Sequence, residues 1–296
     1  MTAAGIASGL LLLASTPTWA AASRTADNAS APPAPPVART DYDPFGTRLP
    51  PGLDASTLVG LVMPMGDPAR VTLAGARPWP RRPDSYVAIV CERAAHIEAS
   101  STPACEREVS RDGKPGMPKV YVGLIEKAPD QPARLIAASG AIDRPVNWRD
   151  TTLHGSPELP DDPDSSADFP HSWIGFDLAA YRIQDARYAF GLRGTWNESY
   201  AGGGATWEAL YLFSVEGDRL ATILAEPMFS FVDIAGSWHK DGTRDHDIEE
   251  HKLVLQMATR KTNGYYDILM KGGDVTRALR WSTRETAYAG QPAVGK

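Results

Sequence analysis

The sequence predicts an all-β protein, an antiparallel sandwich or two β lobes, with a small propeller-like arrangement as the alternative. Three observations predict it. The second half carries eight strand-like runs: Trp173–Ile183, Tyr188–Tyr200, Ala205–Val215, Leu220–Leu224, Met228–Ile234, His251–Thr259, Tyr265–Met270 and Arg277–Trp281. β-branched and aromatic residues of this kind suit a pleated, half-buried surface. Turn-forming pairs lie between several of these runs, namely Gly217-Asp218, Asn263-Gly264 and Gly272-Gly273. No window of this half sustains an apolar period of 3.6, which a helix would need.

The chain opens with a secretory-type leader over residues 1–22. Gly9-Leu10-Leu11-Leu12-Leu13-Ala14 forms a short apolar run, and Thr18-Trp19-Ala20 and Ala20-Ala21-Ala22 offer small-x-small cleavage sites. The run is far shorter than the ~20 residues needed to span a bilayer, so no anchor is expected after cleavage. No later stretch is long and apolar enough to span either. The expected location is periplasmic or secreted.

Residues 23–52 read as a tether. Ala31–Pro36 is A-P-P-A-P-P, which can form neither a helix nor a strand ladder, and its neighbours have little to bury. A first β lobe is expected over 53–154. Its strand signals are Leu58–Met63, Arg70–Leu73, Tyr86–Cys91, Lys119–Ile125 and Arg134–Ala137. The sequence has two cysteines, Cys91 and Cys105. In an oxidising compartment a lone pair is most simply a disulfide, and this spacing is too long for a C-x-x-C redox motif. Residues 155–170 change to S-P-E-L-P-D-D-P-D-S-S-A-D-F-P, read as a surface loop or a linker to a second lobe over 171–290.

A hairpin echo runs through both halves. Tyr121–Glu126 leads to Arg134-Leu135, Tyr211–Glu216 to Arg219-Leu220, and Tyr265–Lys271 to Arg277-Ala278. The spacings between copies differ, so the pattern suggests a shared hairpin form rather than a repeat.

Formal net charge is −6 and Lys and Arg are scattered, so nucleic acid is not an expected partner. The densest polar cluster spans Phe231–Glu250 and holds Asp241, Asp245, Asp247, Glu249 and Glu250, with His239, His246 and His251 in or beside it. Calcium takes six to eight hard oxygens, and a glycine at the sharp turn lets alternate residues point inward. Asp241-Gly242-x-x-Asp245 resembles the centre of FG-GAP-type and dockerin-type calcium loops. With Gly242 at the turn, that resemblance implies Asp241, Thr243 (through its carbonyl) and Asp245 as candidate calcium ligands. Ser237, His239 and Ile248 depart from that pattern. The bland alternative is a polar β-β connection with an Asp-Gly turn. A transition metal held by His239 and His246 is a further candidate, although no H-E-x-x-H or H-x-H motif is present.

The second candidate is Thr195–Glu208, T-W-N-E-S-Y-A-G-G-G-A-T-W-E. No G-K-[ST] follows the glycines, so they serve a turn or a close backbone approach rather than phosphate binding. A turn centred on Gly203 would set Glu198 opposite Glu208, as an exposed pair or as the two carboxylates of a glycosidase. Trp196 and Trp207 would then be placed to stack on sugars. No serine or cysteine nucleophile motif is visible.

Two function classes follow. One is an exported binding or interaction protein of the envelope or exterior, its ligand unspecified with a glycan as one candidate, and with calcium as the candidate cofactor. The other is a secreted hydrolase using Glu198 and Glu208 or a metal. The missing catalytic motifs lean the reading toward the first.

Overall fold

The computed structural model describes residues 42–98, 104–148, 151, 153, 155–157, 168–200, 202–273 and 275–290. The leader, most of the tether and most of the Pro/Asp-rich segment lie outside the described residues. The rest is all-β. In the first half the strands are β1 (Val71–Pro78), β2 (Ser85–Glu92), the two-residue β3 (Glu108–Val109) and β4 (Pro115–Gly116), β5 (Lys119–Glu126) and β6 (Arg134–Ala141). The second half supplies β7 (Ser172–Arg182), β8 (Tyr188–Tyr200), β9 (Gly203–Glu216), β10 (Arg219–Trp238), β11 (Arg244–Lys252), β12 (Val254–Thr262), β13 (Tyr265–Gly272), β14 (Val275–Ser282) and β15 (Ala287–Gly290).

Nine strands form one curled sheet in the order β1-β2-β5-β6-β10-β9-β8-β7, with β11 added beside β10. Strands from both halves therefore join a single half-barrel. The two halves meet where β6 touches the start of β10, a parallel contact at Ala138 and Arg219. β10 is long enough to use its other edge twice, for β6 near its start and for β11 along its end. Pro227, inside this strand, sits at a bulge where a missing N–H breaks no ladder. The three echoed hairpins are β5–β6, β9–β10 and β13–β14.

Alternation gives the sheet two apolar faces. The concave face holds Phe190, Leu192, Trp196, Trp207, Tyr211 and Phe213 with Val87, Ile89 and Val122. The convex face is covered in two patches. A second sheet, β12-β13-β14-β15, lays Ile268, Met270, Leu279 and Trp281 on Leu210, Leu212 and Ile223. A helix, α1 (Ala55–Val62), lays Leu58, Val59 and Val62 on Ala88, Val90 and Ile125. This helix replaces the strand expected at Leu58–Met63. Asp54 caps it by accepting a bond from the Thr57 N–H at 2.7 Å, and its buried positions fall at i, i+1 and i+4.

The two outermost strands, β1 and β7, do not pair directly. Two straps bridge the seam between them. The first is the end of the expected tether: the Ala76 N–H donates to the Gly46 carbonyl at 3.0 Å, and the Phe176 N–H donates to the Pro44 carbonyl at 3.2 Å. Gly175 sits at φ +155, where a Cβ would come within 2.9 Å of the Pro44 side chain. Asp43 ties the strap into a turn, accepting from Gly46 N–H (2.7 Å), Thr47 Oγ1 (3.0 Å) and Arg48 N–H (3.1 Å). Burial alone would raise its pKa; the bonds from Thr47, Arg48 and Gly46 outweigh it and bring it to about 2. The second strap is disulfide-bound. Cys91 of β2 is bonded to Cys105, with Cα atoms 5.6 Å apart. Beyond Cys105 the chain runs along β7: the Trp173 N–H donates to the Cys105 carbonyl at 2.8 Å, and Glu106 bridges to Ser172.

Candidate functional site

The polar cluster of residues 239–250 is mostly a strand. Arg244–Lys252 form β11, which returns along β10. The turn between them is short. The His239 N–H donates to the Thr243 carbonyl (2.8 Å), the Gly242 N–H donates to the His239 carbonyl (3.1 Å), and Gly242 has φ +85. This is a three-residue hairpin loop whose glycine takes the left-handed position. Asp241 Oδ1 accepts from the Thr243 N–H (3.0 Å) and Oγ1 (2.7 Å), which lowers its pKa. Asp245 pairs with His239 at 2.7 Å, and His246 with Asp233 at 2.7 Å. His246 and His251 point to opposite faces of the ladder, an odd number of residues apart. Asp241, Thr243 and Asp245 are thus employed in the turn and its flanking pair, and the three histidines do not converge. Among the described residues, no three His, Cys, Asp or Glu side chains are grouped to hold a metal ion.

The β8–β9 hairpin also differs from its expected register. Tyr200 pairs with Gly203, so Thr195 faces Glu208 and Ala205 faces Glu198. Glu198 and Glu208 are three positions apart along the ladder, roughly 10 Å, and on opposite faces. The structure does not bring them together. Trp196 and Trp207 are buried in the concave core, so neither offers a ring to a sugar. The glycines serve packing. Gly202 has φ +94, and a Cβ there would meet Arg244 Nη1 at 2.1 Å and Ala235 Cβ at 3.1 Å.

Glu208 has other company. On the convex face, where cover by the second sheet ends, the sheet changes from Leu210 and Leu212 to charge. Arg193 Nη2 and Nε both donate to Asp177 Oδ2, at 2.7 and 3.0 Å, and the Ala179 N–H donates to Oδ1 at 3.2 Å. Arg193 Nη1 lies 3.8 Å from Glu208 Oε2. Phe229 follows on β10 and Lys252 on β11, each in register with its neighbour. A row of acid, base, acid, ring and base therefore crosses β7, β8, β9, β10 and β11.

The row forms one wall of a cleft of about 530 Å³. Its other wall is apolar: Tyr181, Met228, Leu253 and Leu255, at the corner where the chain passes from β11 into β12. The Leu253 N–H donates to the Met228 carbonyl at 2.8 Å and pins that corner. Burial, then Asp177, raises the Tyr181 hydroxyl pKa, so it stays a neutral donor. Lys252 is exposed and has no ion-pair partner among the described residues. The cleft can take an apolar body against one wall and opposite charges at Glu208 and Lys252.

Sequence reasoning found Glu208 but missed Asp177, Arg193 and Lys252. A charge set within a strongly apolar run, as in Phe176-Asp177-Leu178 and Leu192-Arg193-Gly194, was the available signal. The chain matches no protein-family model, no curated protein and no solved structure.

Proposed function

We propose that this chain is an exported binding protein, and that it holds a small amphiphilic ligand bearing both charges in the cleft between its two sheets. The Asp177–Arg193–Glu208–Lys252 row facing an apolar wall carries the reading. The cleft is within the ~300–1,000 Å³ usual for small-ligand sites. Zwitterions such as short apolar peptides fit its chemistry: ammonium to Glu208, carboxylate to Lys252, side chain against Met228 and Leu253. The leader-like residues 1–22 and the Cys91–Cys105 bond support export.

The hydrolase reading has less support. Its carboxylate pair lies on opposite faces of the hairpin.

The test is a thermal melt of the mature protein with apolar dipeptides, their N-acetyl and C-amide forms, and neutral oligosaccharides. A ligand at 100 times its Kd adds about 2.7 kcal/mol, easily seen as a raised midpoint. Free dipeptides are expected to raise it, capping either end to weaken the effect, and Lys252→Gln to mimic the C-amide result. Stabilisation by oligosaccharides alone would replace the zwitterion with a glycan. No shift with any of them would sink the cleft as a ligand site.

A further inference from the structure

We infer a second, independent site: an oxyanion seat at the seam of the half-barrel. The turn after β1 and the turn before β8 belong to strands at opposite ends of the sheet order. The curl brings them face to face. Trp79 meets Phe190 edge-on with ring centroids 5.4 Å apart, and the Arg81 guanidinium lies over the Tyr188 ring at 5.4 Å. Between the turns is a cleft of about 180 Å³, lined by Trp79, Arg81, Arg82, Arg187 and Tyr188.

Its chemistry is one-sided. Apart from the Tyr188 hydroxyl, every polar side-chain group lining it is a donor, and three of the lining residues are arginines. Arg187 is fixed from behind: Nη2 donates to Ser214 Oγ (3.0 Å), to the Val215 carbonyl (2.6 Å) and to Glu216 (2.5 Å), and Nη1 to Gln184 Oε1 (3.1 Å). Arg81 and Arg82 have no carboxylate partner among the described residues, and stacking on Tyr188 orients the Arg81 fork. Trp79 is 6% exposed, and its indole N–H has no acceptor. Guanidiniums without counter-charge repel one another. A tetrahedral oxyanion, phosphate or sulfate, free or as an ester, supplies the counter-charge that Arg81 and Arg82 lack. Arginine forks match its paired oxygens. Net charge does not account for this gathering of cations, since the chain carries −6 overall.

The test is titration calorimetry of the mature protein with inorganic phosphate, sulfate and methyl phosphate, at constant ionic strength in chloride buffer. Saturable binding of at least one is expected, and tighter binding of methyl phosphate than of phosphate would make the natural ligand an ester. Arg81→Gln/Arg82→Gln should weaken binding about tenfold or more, because charge-assisted bonds are lost. A control with the same charge loss elsewhere, Arg111→Gln/Arg134→Gln, should bind as wild type does. Both control arginines are exposed and paired with Glu98 and Glu126. Absence of binding by all three anions overturns the site. So does equal weakening in both double variants, which would mark a general charge effect. Far-ultraviolet dichroism and the melt confirm that the variants are folded.

Discussion

Trp196 and Trp238 end up in opposite surroundings. Trp196, on β8, is 0% exposed, and its ring meets Trp148 edge-on at 4.9 Å in the concave core. Trp238 closes β10 at the hairpin tip, 70% exposed, with Arg244 stacked on it at 5.3 Å. The half-barrel interior is held by burial and by straps. The β10–β11 arm is held by ladder hydrogen bonds, with Ile234 and Ile248 also exposed. The difference teaches where charge density carries meaning. The arm holds the densest run of polar residues, and Asp233, His239, Asp241, Asp245 and His246 among them serve turn geometry and side-chain pairs. The cleft holds four, and it sets them against an apolar wall.

Five measurements would sharpen or break this contrast. Trp196→Ala should cost about 3–5 kcal/mol in denaturant unfolding, the usual range for a buried tryptophan. A loss under about 1 kcal/mol would mean the concave core is not the stabilising region. Replacing both Cys91 and Cys105 by Ala should cost ~3 kcal/mol for a loop of this size. Amide exchange in that variant should rise first at Ser172 and Trp173, and exchange that rises evenly would deny the strap its local role. Arg193→Ala should cost about 1–3 kcal/mol, because it strips the bonds from Asp177, only 15% exposed. It should also abolish dipeptide stabilisation.

Acid should open the seam in two steps. Burial, then the Arg107 guanidinium, lowers the His171 pKa from 6.5 to about 4. A lowered folded pKa means the unfolded chain takes up its proton first, so stability is full above 6.5 and falls as pH drops toward 4. The lowered Asp43 adds a second loss between 3.8 and about 2. His171→Gln should remove the first slope and leave the second. An unchanged first slope in His171→Gln would separate His171 from the straps. The smallest effects belong to the arm. Trp238→Ala and Asp241→Ala should each stay within about 0.5 kcal/mol, as is usual for exposed positions. The wild-type midpoint should not move between chelator and millimolar calcium. A calcium-dependent rise lost in Asp241→Ala would restore the cation loop.

Much of the fold was legible because burial writes periodicity into sequence. β8 matches the run Tyr188–Tyr200 end to end, and its apolar residues alternate as a two-faced strand requires. β11 was illegible for the converse reason. R-D-H-D-I-E-E-H-K has no buried face, and its charges suit an edge strand that must discourage further pairing. α1 was masked by Val59, Val62 and the glycine between them, although the Asp54 cap was there to be read. The carboxylate pairing failed through register. Centring the turn on Gly203 makes partner numbers sum to 406, whereas Thr195 and Glu208 sum to 403. An odd shift sends every side chain to the other face. The cleft was illegible because its members come from separate strands, and only the curl and the second sheet bring them together.

The straps also set an order of events. The disulfide joins residues 14 apart, so it can close as soon as that stretch reaches an oxidant. The strand its strap must lie on begins at Ser172, and the Pro44 strap waits for Phe176. Contacts at such separation form late, because a long loop must close before they reward the chain. A chain that emerges amino-terminus first therefore leaves Val87, Ile89 and Val122 of the concave face uncovered until more than half of it is out, and the seam is the last joint of the half-barrel to shut.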